Sequence, residues 1–482
     1  MTGAVSCRAA GAQPALVRRS GSLLSLVLLV LLIASNAAAL TRSVPTQYPT
    51  IQEAIVASAD GDTVLVLPGT YLEHLDFLGK DVVVRSLNGP ETTIVDGGGF
   101  GSVVYLGGCG EGAQLRGFTV RGGGSPFGGG VAVRYSRGEG PSITENWITG
   151  NAAYSGGGIY LLSSGRVTRC RITSNTSELG GAGIWISGEE ESAFPIHLEQ
   201  NEVFGNRVVR ESMYAYGAGI NAEGLAPYTI RGNLIACNEG SRGAGLAAGG
   251  LQPSVVEGNT MVANWGRLAV GGCYIHPSSS LAFLANVVAF NLGGGIECAN
   301  VGELEAACND VVGNNPDFTN SACSDAFAVN DNIRQDPLFG RSSGCPPAEG
   351  DFCLTSDSPL LPEHSPPGCG LIGARGVCSP NGVVELAVPR GALRVHPPRP
   401  NPFLDRTTIA FQLPAPGVVE IAIYGVLGRK VRTITWAALS AGKHELEWDG
   451  RGDDGGRAPS GAYVAVIRSG GAEVTRTLLL VR

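Results

Sequence analysis

A short phrase of polar and aliphatic residues recurs through the middle of the chain, and its clearest copy runs from Asn146 to Asn151. Most copies begin and end with asparagine and carry an aliphatic residue two places after the first position. The asparagines of these copies are Asn146, Asn151, Asn175, Asn201, Asn206, Asn233, Asn238, Asn259, Asn264, Asn286, Asn291, Asn309 and Asn314. Successive copies start at positions 146, 170, 201, 233, 259, 286 and 309. A period in this range, with loop insertions of varying length, indicates a solenoid.

A second phrase, three small residues followed by an apolar one, alternates with the first, for example at Gly156 to Ile159 and Gly181 to Ile184. The segments between these turns are short and rich in aliphatic residues, and they lack the length and 3.6-residue spacing of helices. Coils of three such strands, stacked about 4.8 Å apart, pair their backbone groups with the coils above and below. Asparagines at the turns would then form amide ladders, because asparagine also tolerates the left-handed conformation. The pattern predicts an all-β chain built on a right-handed parallel β-helix (solenoid); the leucine-rich alternative lacks its Leu-x-x-Leu-x-Leu frame.

The two ends of the repeat have different patterns. Residues Tyr48 to Ile55 are predicted to form a short amphipathic helix that covers the first coil. After a proline-rich linker, residues 379–400, the repeat gives way to short strands with alternating polarity. These predicted strands are Thr407–Leu413, Val418–Tyr424, Lys430–Thr435, Lys443–Trp448, Gly461–Ile467 and Val474–Val481. They predict a small antiparallel β-sandwich over residues 401–482, separate from the solenoid of residues 44–378.

The first 39 residues have the features of a secretory signal peptide. A basic pair, Arg18-Arg19, precedes an apolar run from Leu23 to Ile33 and the small residues Ala37 to Ala39. The apolar run is too short to cross a bilayer, and no later segment has a membrane-spanning pattern. We therefore expect an exported mature chain with no transmembrane span.

The start of the solenoid resembles a known superfamily. The stretch TIQEAIVASADGDTVLVLPGTYLEHLDFLGKDVVVRSLNGPETTIVDGGG, residues 50–99, is similar to the N-terminal portion of secreted proteins with the pectin-lyase-like β-helix. Within that superfamily it resembles exported bacterial β-helix repeat proteins, many without an assigned reaction. The resemblance covers about residues 44–378 and includes the closing segment around Asp336 to Phe339. It implies the same right-handed parallel β-helix.

The C-terminal strands resemble two related families, the flagellar hook-capping immunoglobulin-like domain and the sorting domain of type IX secretion cargo. The matching residues include Pro400 to Phe403, Trp448 to Arg451 and Ser460 to Tyr463. The resemblance implies export across an outer membrane or retention at the cell surface, with the outer-membrane secretion machinery as a partner. Which machinery acts stays open.

The charge of the chain bears on its partners. The formal net charge is −8, and removal of residues 1–39 takes away three arginines and no acid, which gives −8 − 3 = −11. This acidic balance argues against nucleic acid as a partner. The only lysines are Lys80, Lys430 and Lys443, so the central coils offer no lysine for catalysis.

Cysteines are concentrated near the end of the solenoid. Seven candidates for disulfide bonds lie there: Cys298, Cys308, Cys323, Cys345, Cys353, Cys369 and Cys378. In an exported chain this clustering predicts disulfides that fasten the open end, although the pairing is not determined by sequence. Four more lie in the body, at Cys109, Cys170, Cys237 and Cys273, and Cys170 replaces a ladder asparagine, which predicts a buried thiol. Because no Cys-x-x-Cys pair occurs, we expect no metal site of zinc type.

Catalytic chemistry has little support in the central coils, and no catalytic residue is assigned. No aspartate occurs between Asp96 and Asp310, which argues against a hydrolase built on paired aspartates. Glu199, Arg231 and Glu257 occupy one repeat position, so charge alternation across coils accounts for them better than a catalytic pair.

A lyase or uronate epimerase acting on an acidic polysaccharide is the rival enzyme hypothesis. Its base would be Arg171 or Arg207. If it used Ca²⁺, the ion would need several oxygen ligands, and the only tight acidic cluster is Glu189 to Glu191. We otherwise expect no cofactor.

Binding of a glycan has somewhat better support. Tyr160 and Trp185 occupy one repeat position on adjacent coils, and Trp147 and Arg171 occupy another. Exposed aromatic rings on a flat sheet suit the apolar faces of sugars, whereas the alternative is that the rings merely cover the sheet. The sequence therefore predicts a secreted or cell-surface β-helix protein that binds an extracellular polysaccharide or cell-surface glycan, or serves as a structural element. Trp147, Tyr160, Arg171 and Trp185 are its candidate contacts.

Overall fold

The computed structural model describes most of the chain after the predicted signal peptide. The described residues are 39–188, 194–277, 279–300, 302–340, 345, 352–378, 393–395, 398–401, 403–413, 417–425, 429–440, 442–469 and 472–480. The apolar run of the predicted signal peptide, the Glu189 to Glu191 cluster and much of the predicted linker lie outside these residues. The chain divides into Met1–Leu40 and Thr41–Arg482, and the description below concerns the second unit.

Parallel β-sheets build a solenoid in which each central coil contributes one strand to each of four sheets. In the coil from Gly165 to Ile186 the chain passes through the eleven-stranded, ten-stranded, six-stranded and nine-stranded sheets in that order. Every strand then pairs in parallel with the equivalent strand of the next coil, as Ile148 does with Ile172 and Ile172 with Val203. The all-β right-handed solenoid predicted from the repeat is confirmed, but the central coils have a fourth strand that the three-strand prediction did not include.

The strand bounds follow the repeat. The eleven-stranded sheet contains Thr41–Val44, Thr63–Val66, Val83–Ser86, Gln114–Arg116, Ser142–Thr144, Gly165–Thr168, Ile196–Glu199, Tyr228–Arg231, Ser254–Glu257, Ser280–Leu284 and Glu303–Ala307. The ten-stranded sheet contains Gly69–Leu72, Thr93–Asp96, Thr119–Arg121, Trp147–Thr149, Arg171–Thr173, Glu202–Phe204, Leu234–Ala236, Thr260–Val262, Val287–Ala289 and Asp310–Val312. The six-stranded sheet contains Gly124–Phe127, Ala152–Ser155, Thr176–Gly180, Arg207–Val208, Glu239–Gly240 and Trp265–Gly266. The nine-stranded sheet contains Leu75–Asp76, Val104–Gly107, Val131–Arg134, Ile159–Leu161, Ile184–Ile186, Ile220–Ala222, Leu246–Ala248, Cys273–Ile275 and Ile296–Cys298.

Two ladders of buried asparagine amides run along the corners on either side of the ten-stranded sheet. In each ladder the Nδ2 of one asparagine donates to the Oδ1 of the next, over 2.8–3.1 Å. The first ladder comprises Asn201, Asn233, Asn259, Asn286, Asn309 and Asn332. The second comprises Asn151, Asn175, Asn206, Asn238, Asn264, Asn291 and Asn314, and ends on Asp317.

The first ladder is interrupted near its start. Asn146 accepts from the Phe118 N–H and donates to the Leu115 carbonyl, but the next coil has the buried thiol Cys170 at the ladder position. The Cys170 N–H still donates to the Asn201 Oδ1, so the backbone hydrogen bond of the ladder is kept at this coil and only the side-chain amide bond is lost.

The left-handed corner residue is the one before each asparagine, for example Ser174 or Phe290, and not the asparagine itself. The asparagines therefore serve as hydrogen-bonding side chains, and their tolerance of left-handed backbone is not used at these corners.

Short helices cover both ends of the solenoid. Helix α1, Ile51–Ala57, begins after Thr50, whose side-chain oxygen accepts from the Glu53 N–H. It buries Ile51, Ala54 and Ile55 on the first coil, as its amphipathic pattern predicts. At the other end, helix α2, Ser321–Ala326, places Phe327 in the same continuous core. Among the described residues, no helix has both the length and the hydrophobicity to cross a bilayer.

After α2 the described residues 333–340, 345 and 352–378 turn back along the solenoid, and we call them the strap. It lies on the outer face of the ten-stranded sheet. Phe352 packs against Phe204, Leu234 and Val262. Further along, a second cluster joins strap and sheet residues, namely Val287, Ala289, Leu354, Leu360, Leu361 and Ile372.

Four disulfides fasten the second half of the solenoid, and all seven predicted cysteines take part. They are Cys237–Cys345, Cys298–Cys323, Cys308–Cys369 and Cys353–Cys378. Cys298–Cys323 joins the last coils to α2, at the open end. Cys237–Cys345 and Cys308–Cys369 instead fasten the strap along the side of the solenoid, and Cys237 comes from the body. Among the described residues, three cysteines are free and buried: Cys109, Cys170 and Cys273.

The C-terminal residues form two antiparallel sheets around a separate core. The three-stranded sheet contains Arg394–Val395, Thr407–Leu413 and Gly442–Trp448. The four-stranded sheet contains Gly417–Gly425, Lys430–Leu439, Gly461–Ser469 and Ala472–Leu480. All six predicted strands are present, within a few residues of their predicted bounds. Strand Arg394–Val395 is additional and lies inside the range predicted as linker.

We predict that Asn206→Ala destabilises the solenoid strongly. Asn206 is fully buried in the second ladder, where it bonds Asn175 on one side and Asn238 on the other. Its loss leaves several buried donors and acceptors unpaired, which costs roughly 3 to 5 kcal/mol. The measurement is the shift of the urea unfolding curve. The exposed Asn88→Ala is the matched control, and an equal shift for both variants would contradict the structural role of the ladder.

We also predict that Asp310 makes stability depend on pH. Asp310 is fully buried beneath the strap; its Oδ1 accepts from the Gln335 N–H, and its Oδ2 has no partner among the described residues. Burial, and then the charges of Asp317 and Asp336, raise its pKa to about 7, against the Gln335 hydrogen bond.

In the unfolded chain this carboxyl loses its proton near its ordinary pKa of about 4, whereas the folded protein keeps the proton up to about pH 7. The folded state therefore loses stability as pH rises between these values, by roughly 4 kcal/mol at most. Between about pH 5 and pH 8, unfolding curves of the wild type and of the exposed control Asp331→Asn should therefore lose roughly 2 to 3 kcal/mol relative to those of Asp310→Asn, because all other groups titrate alike in the three proteins. Identical pH profiles for Asp310→Asn and the wild type would refute the prediction.

Candidate functional site

Tyr160 and Trp185, two of the predicted glycan contacts, are neighbours on adjacent coils of the nine-stranded sheet. Their predicted exposure is wrong, because they are only 3% and 9% exposed. Leu162 packs against them, and the Arg134 guanidinium lies 5.4 Å from the centre of the Tyr160 ring. These contacts occupy the surface that a sugar would need, so both rings act as a cover for the sheet.

The same cover continues along the nine-stranded sheet. Tyr216 stacks on Tyr274 with ring centres 5.3 Å apart, and the Arg242 guanidinium lies 4.6 Å from the Tyr274 ring. Arg242 also makes two hydrogen bonds to Glu297. His276 packs edge-on against both tyrosines, and its burial lowers its pKa to about 4, which keeps the imidazole neutral.

Trp147 and Arg171 are also neighbours, on the outer face of the ten-stranded sheet. Both are half-buried. The Arg171 guanidinium lies 5.9 Å from the Trp147 ring and 4.9 Å from the Phe204 ring, and 3.8 Å from the Glu202 carboxylate. Arg171 is therefore held between two rings and an acid where the strap ends, rather than extended into solvent.

The glutamates considered for catalysis lie in ion pairs on the outer faces of the coils. Glu199, Arg231 and Glu257 are in register on the eleven-stranded sheet, and Arg231 lies 2.5 Å from Glu257. Glu199 lies 3.6 Å from Arg166, and near His197, whose pKa burial lowers. Alternation of charge across coils accounts for this column.

The six-stranded sheet has an open outer face. The residues that follow the second-ladder asparagines form one continuous column, which we call the outer strip. The outer strip consists of Ala152, Thr176, Arg207, Glu239, Trp265 and Leu292. Adjacent members are about 4.8 Å apart, so the outer strip is about 24 Å long. The alternate residues Ser177 and Val208 are buried, as the two-residue period of a strand requires.

Trp265 is the exposed aromatic residue of the outer strip, with 49% of its surface accessible. Within the described part of the chain, neither a second ring nor a guanidinium group stacks on it. Next to it, Glu239 lies 3.4 Å from Arg207 and 3.6 Å from Arg267. An open ring face beside polar groups held in ion pairs is an arrangement that binds a sugar through its apolar face and its hydroxyl groups.

The sequence contained the signal for this column. The residue after the first asparagine of each phrase identified Trp147, whereas the residue after the second asparagine identifies Trp265 in Asn264-Trp265. The two columns are equivalent as sequence patterns, and only the structure shows which is open.

Metal ligation finds no support among the residues that the structure describes, since no group of three or more His, Cys, Asp or Glu side chains is arranged to hold an ion. The Glu189 to Glu191 cluster lies outside them.

Comparisons with known proteins agree with this architecture. Residues 158–333 match the family model of the right handed beta helix region. Residues 403–472 match that of the FlgD Ig-like domain. The comparison with curated proteins gives no match.

Among solved structures, the chain is similar to part of dimeric latent PorU from Porphyromonas gingivalis, at 18% identity and a TM-score of 0.17. That similarity covers 20% of this chain and 10% of the PorU chain. The stacked coils and the two matched regions together show a right-handed β-helix repeat protein with a C-terminal FlgD Ig-like domain.

Proposed function

We propose that this protein is exported to the cell surface or beyond it, where its solenoid binds an extended extracellular glycan along the outer strip. The observation that carries the proposal is the exposed ring of Trp265, in line with the ion-paired Arg207 and Glu239. The column is continuous because its residues pair in register from coil to coil. A continuous column of side chains suits a linear polymer.

The charges around the outer strip favour a neutral glycan over a polyuronate. Two guanidinium groups lie on or beside it, from Arg207 and Arg267, and both form ion pairs with two carboxylates, from Glu211 and Glu239. A polyanion would need a surplus of positive charge for attraction, and none exists here.

The rival hypothesis, a lyase or uronate epimerase on an acidic polysaccharide, is weaker for the same reason. Its base candidates, Arg171 and Arg207, both lie beside glutamates, at 3.8 Å and 3.4 Å. Each of these guanidinium groups is therefore engaged by a carboxylate and is not free to approach a substrate proton. We therefore favour binding over catalysis.

The C-terminal domain is proposed to direct export or to anchor the protein at the cell surface. The support is the FlgD Ig-like match over residues 403–472, the resemblance to type IX sorting domains, and the signal-peptide pattern of residues 1–39. The partner would be the outer-membrane secretion machinery, and the location secreted or on the outer surface.

We predict that Trp265→Ala weakens glycan binding about 5- to 30-fold, since a stacked ring contributes on the order of 1–2 kcal/mol. The measurement is titration of the full chain with neutral oligosaccharides selected on a glycan array. Tyr135→Ala is the matched control, because Tyr135 is also an exposed aromatic residue but directly follows the strand Val131–Arg134 of the nine-stranded sheet.

Equal affinity of Trp265→Ala and the wild type would remove the outer strip as the site. Failure of every glycan to bind would remove glycan binding altogether and leave a structural role. Release of unsaturated uronate from an acidic polysaccharide would establish the rival enzyme instead.

A further inference from the structure

The outer face of the six-stranded sheet carries a second exposed aromatic ring, that of Tyr154. Tyr154 lies two residues after Ala152 in the strand Ala152–Ser155, and the two-residue period of a strand puts both side chains on the outer face. The Tyr154 side chain is 40% exposed, and among the described residues neither a ring nor a guanidinium group stacks on it. This ring is therefore nearly as accessible to a ligand as that of Trp265.

Tyr154 and Trp265 lie near opposite ends of the outer strip. The register pairs lead from Ala152, beside Tyr154, to Trp265 in four steps from coil to coil. At about 4.8 Å per step, the two positions are about 19 Å apart. An extended β-1,4-linked sugar chain advances by about one coil spacing per sugar, so about five sugars reach from one ring to the other, whereas a trisaccharide does not.

The outer strip between the two rings offers polar groups and little obstruction. Ala152 has the smallest side chain of the outer strip, which leaves room for a sugar beside the Tyr154 ring. Arg207 and Glu239 follow in the middle, where Arg207 is exposed and Glu239 half-buried, and the two side chains lie 3.4 Å apart. Charged groups in this position are suited to hydrogen bonds with sugar hydroxyl groups.

Loop 209–215 borders the outer strip on one side. The Ser212 N–H donates to the Ser241 hydroxyl, and Glu211 lies 3.4 Å from Arg267. Ser241 comes two residues after Glu239 and so has an outward position, yet it is fully buried, because the loop covers it. The loop therefore closes the neighbouring column at this coil and leaves the outer strip as the accessible path between the rings.

We infer that the glycan site has two aromatic subsites, Trp265 and Tyr154, and that its ligand is a linear, neutral, β-linked glycan of at least about five sugars that lies along the solenoid axis. This rests on the glycan binding proposed above. Each ring stacks on the apolar face of one sugar. Once one ring holds the chain, the second contact forms within the same complex, so a chain that spans both rings binds more tightly than one that contacts a single ring.

The test compares oligosaccharides of two lengths on the full-length protein. Calorimetric titrations use the β-1,4-linked oligomers of glucose, N-acetylglucosamine, mannose and xylose, each as the trimer and the hexamer. The wild type should bind the hexamer of its preferred sugar about tenfold more tightly than the trimer, because only the hexamer reaches both rings.

Substitutions separate the two subsites. Tyr154→Ala should abolish the tenfold gain of the hexamer and leave the affinity for the trimer unchanged, whereas Trp265→Ala should weaken the binding of both lengths. Tyr154→Phe keeps the ring and should bind both oligomers like the wild type. Tyr135→Ala, which removes an exposed tyrosine ring next to the nine-stranded sheet, is the matched control and should keep the tenfold gain.

Three outcomes would overturn the second subsite and leave Trp265 as a glycan contact. They are equal affinity of the wild type for trimer and hexamer, a Tyr154→Ala variant that keeps the tenfold gain, and a Tyr154→Ala variant that loses affinity for both lengths alike. If no oligomer binds at either length, glycan binding itself fails, and the two subsites fail with it.

Discussion

The buried amide ladder is the interaction on which the structure depends. An asparagine side chain carries one acceptor and two donors, and at each corner all three are used: Asn206 accepts from Asn175 and donates to Asn238 and to the Ile172 carbonyl. A buried amide left without partners is costly, so a coil shifted by one residue would leave several such groups unpaired. The ladders thereby hold every coil in one register. Where Cys170 interrupts the first ladder, the second ladder continues through Asn175.

Because the coils share one register, equivalent residues of successive coils stack into columns. The residue types in each column determine the polarity and charge of that face. Inward columns are aliphatic and form one core. Outward columns differ by sheet: alternating charges on the eleven-stranded sheet, rings beneath arginines on the nine-stranded sheet, and Trp265 beside ion pairs on the six-stranded sheet. Because the residues of the outer strip pair in register from coil to coil, the strip is continuous, and a linear ligand can follow it.

The strap determines which part of the ten-stranded sheet is covered and which part stays accessible to solvent. By covering the ten-stranded sheet from Glu202 to Asp310, it removes an apolar face from solvent and leaves Trp147 and Arg171 at its edge. The four disulfides lie in this half of the molecule, where the chain departs from the repeat. An oxidising environment outside the cell, in keeping with the proposed export, would keep these bonds intact.

The sequence by itself determined the coils, because the spacing of the asparagines predicts the period, the register and the columns. The amphipathic spacing of Ile51, Ala54 and Ile55 predicts helix α1, and local alternation predicts the C-terminal strands. Only the tertiary structure decided which columns are open. Tyr160 and Trp185 occupy outward positions like that of Trp265, yet they are covered by contacts from Leu162 and Arg134 that alternation does not encode. The sequence left the disulfide partner of Cys237 undetermined for the same reason, because that partner, Cys345, lies 108 residues later in the chain. Exposure depends on what packs against a face from elsewhere in the chain, and a strand pattern specifies only which way a side chain points.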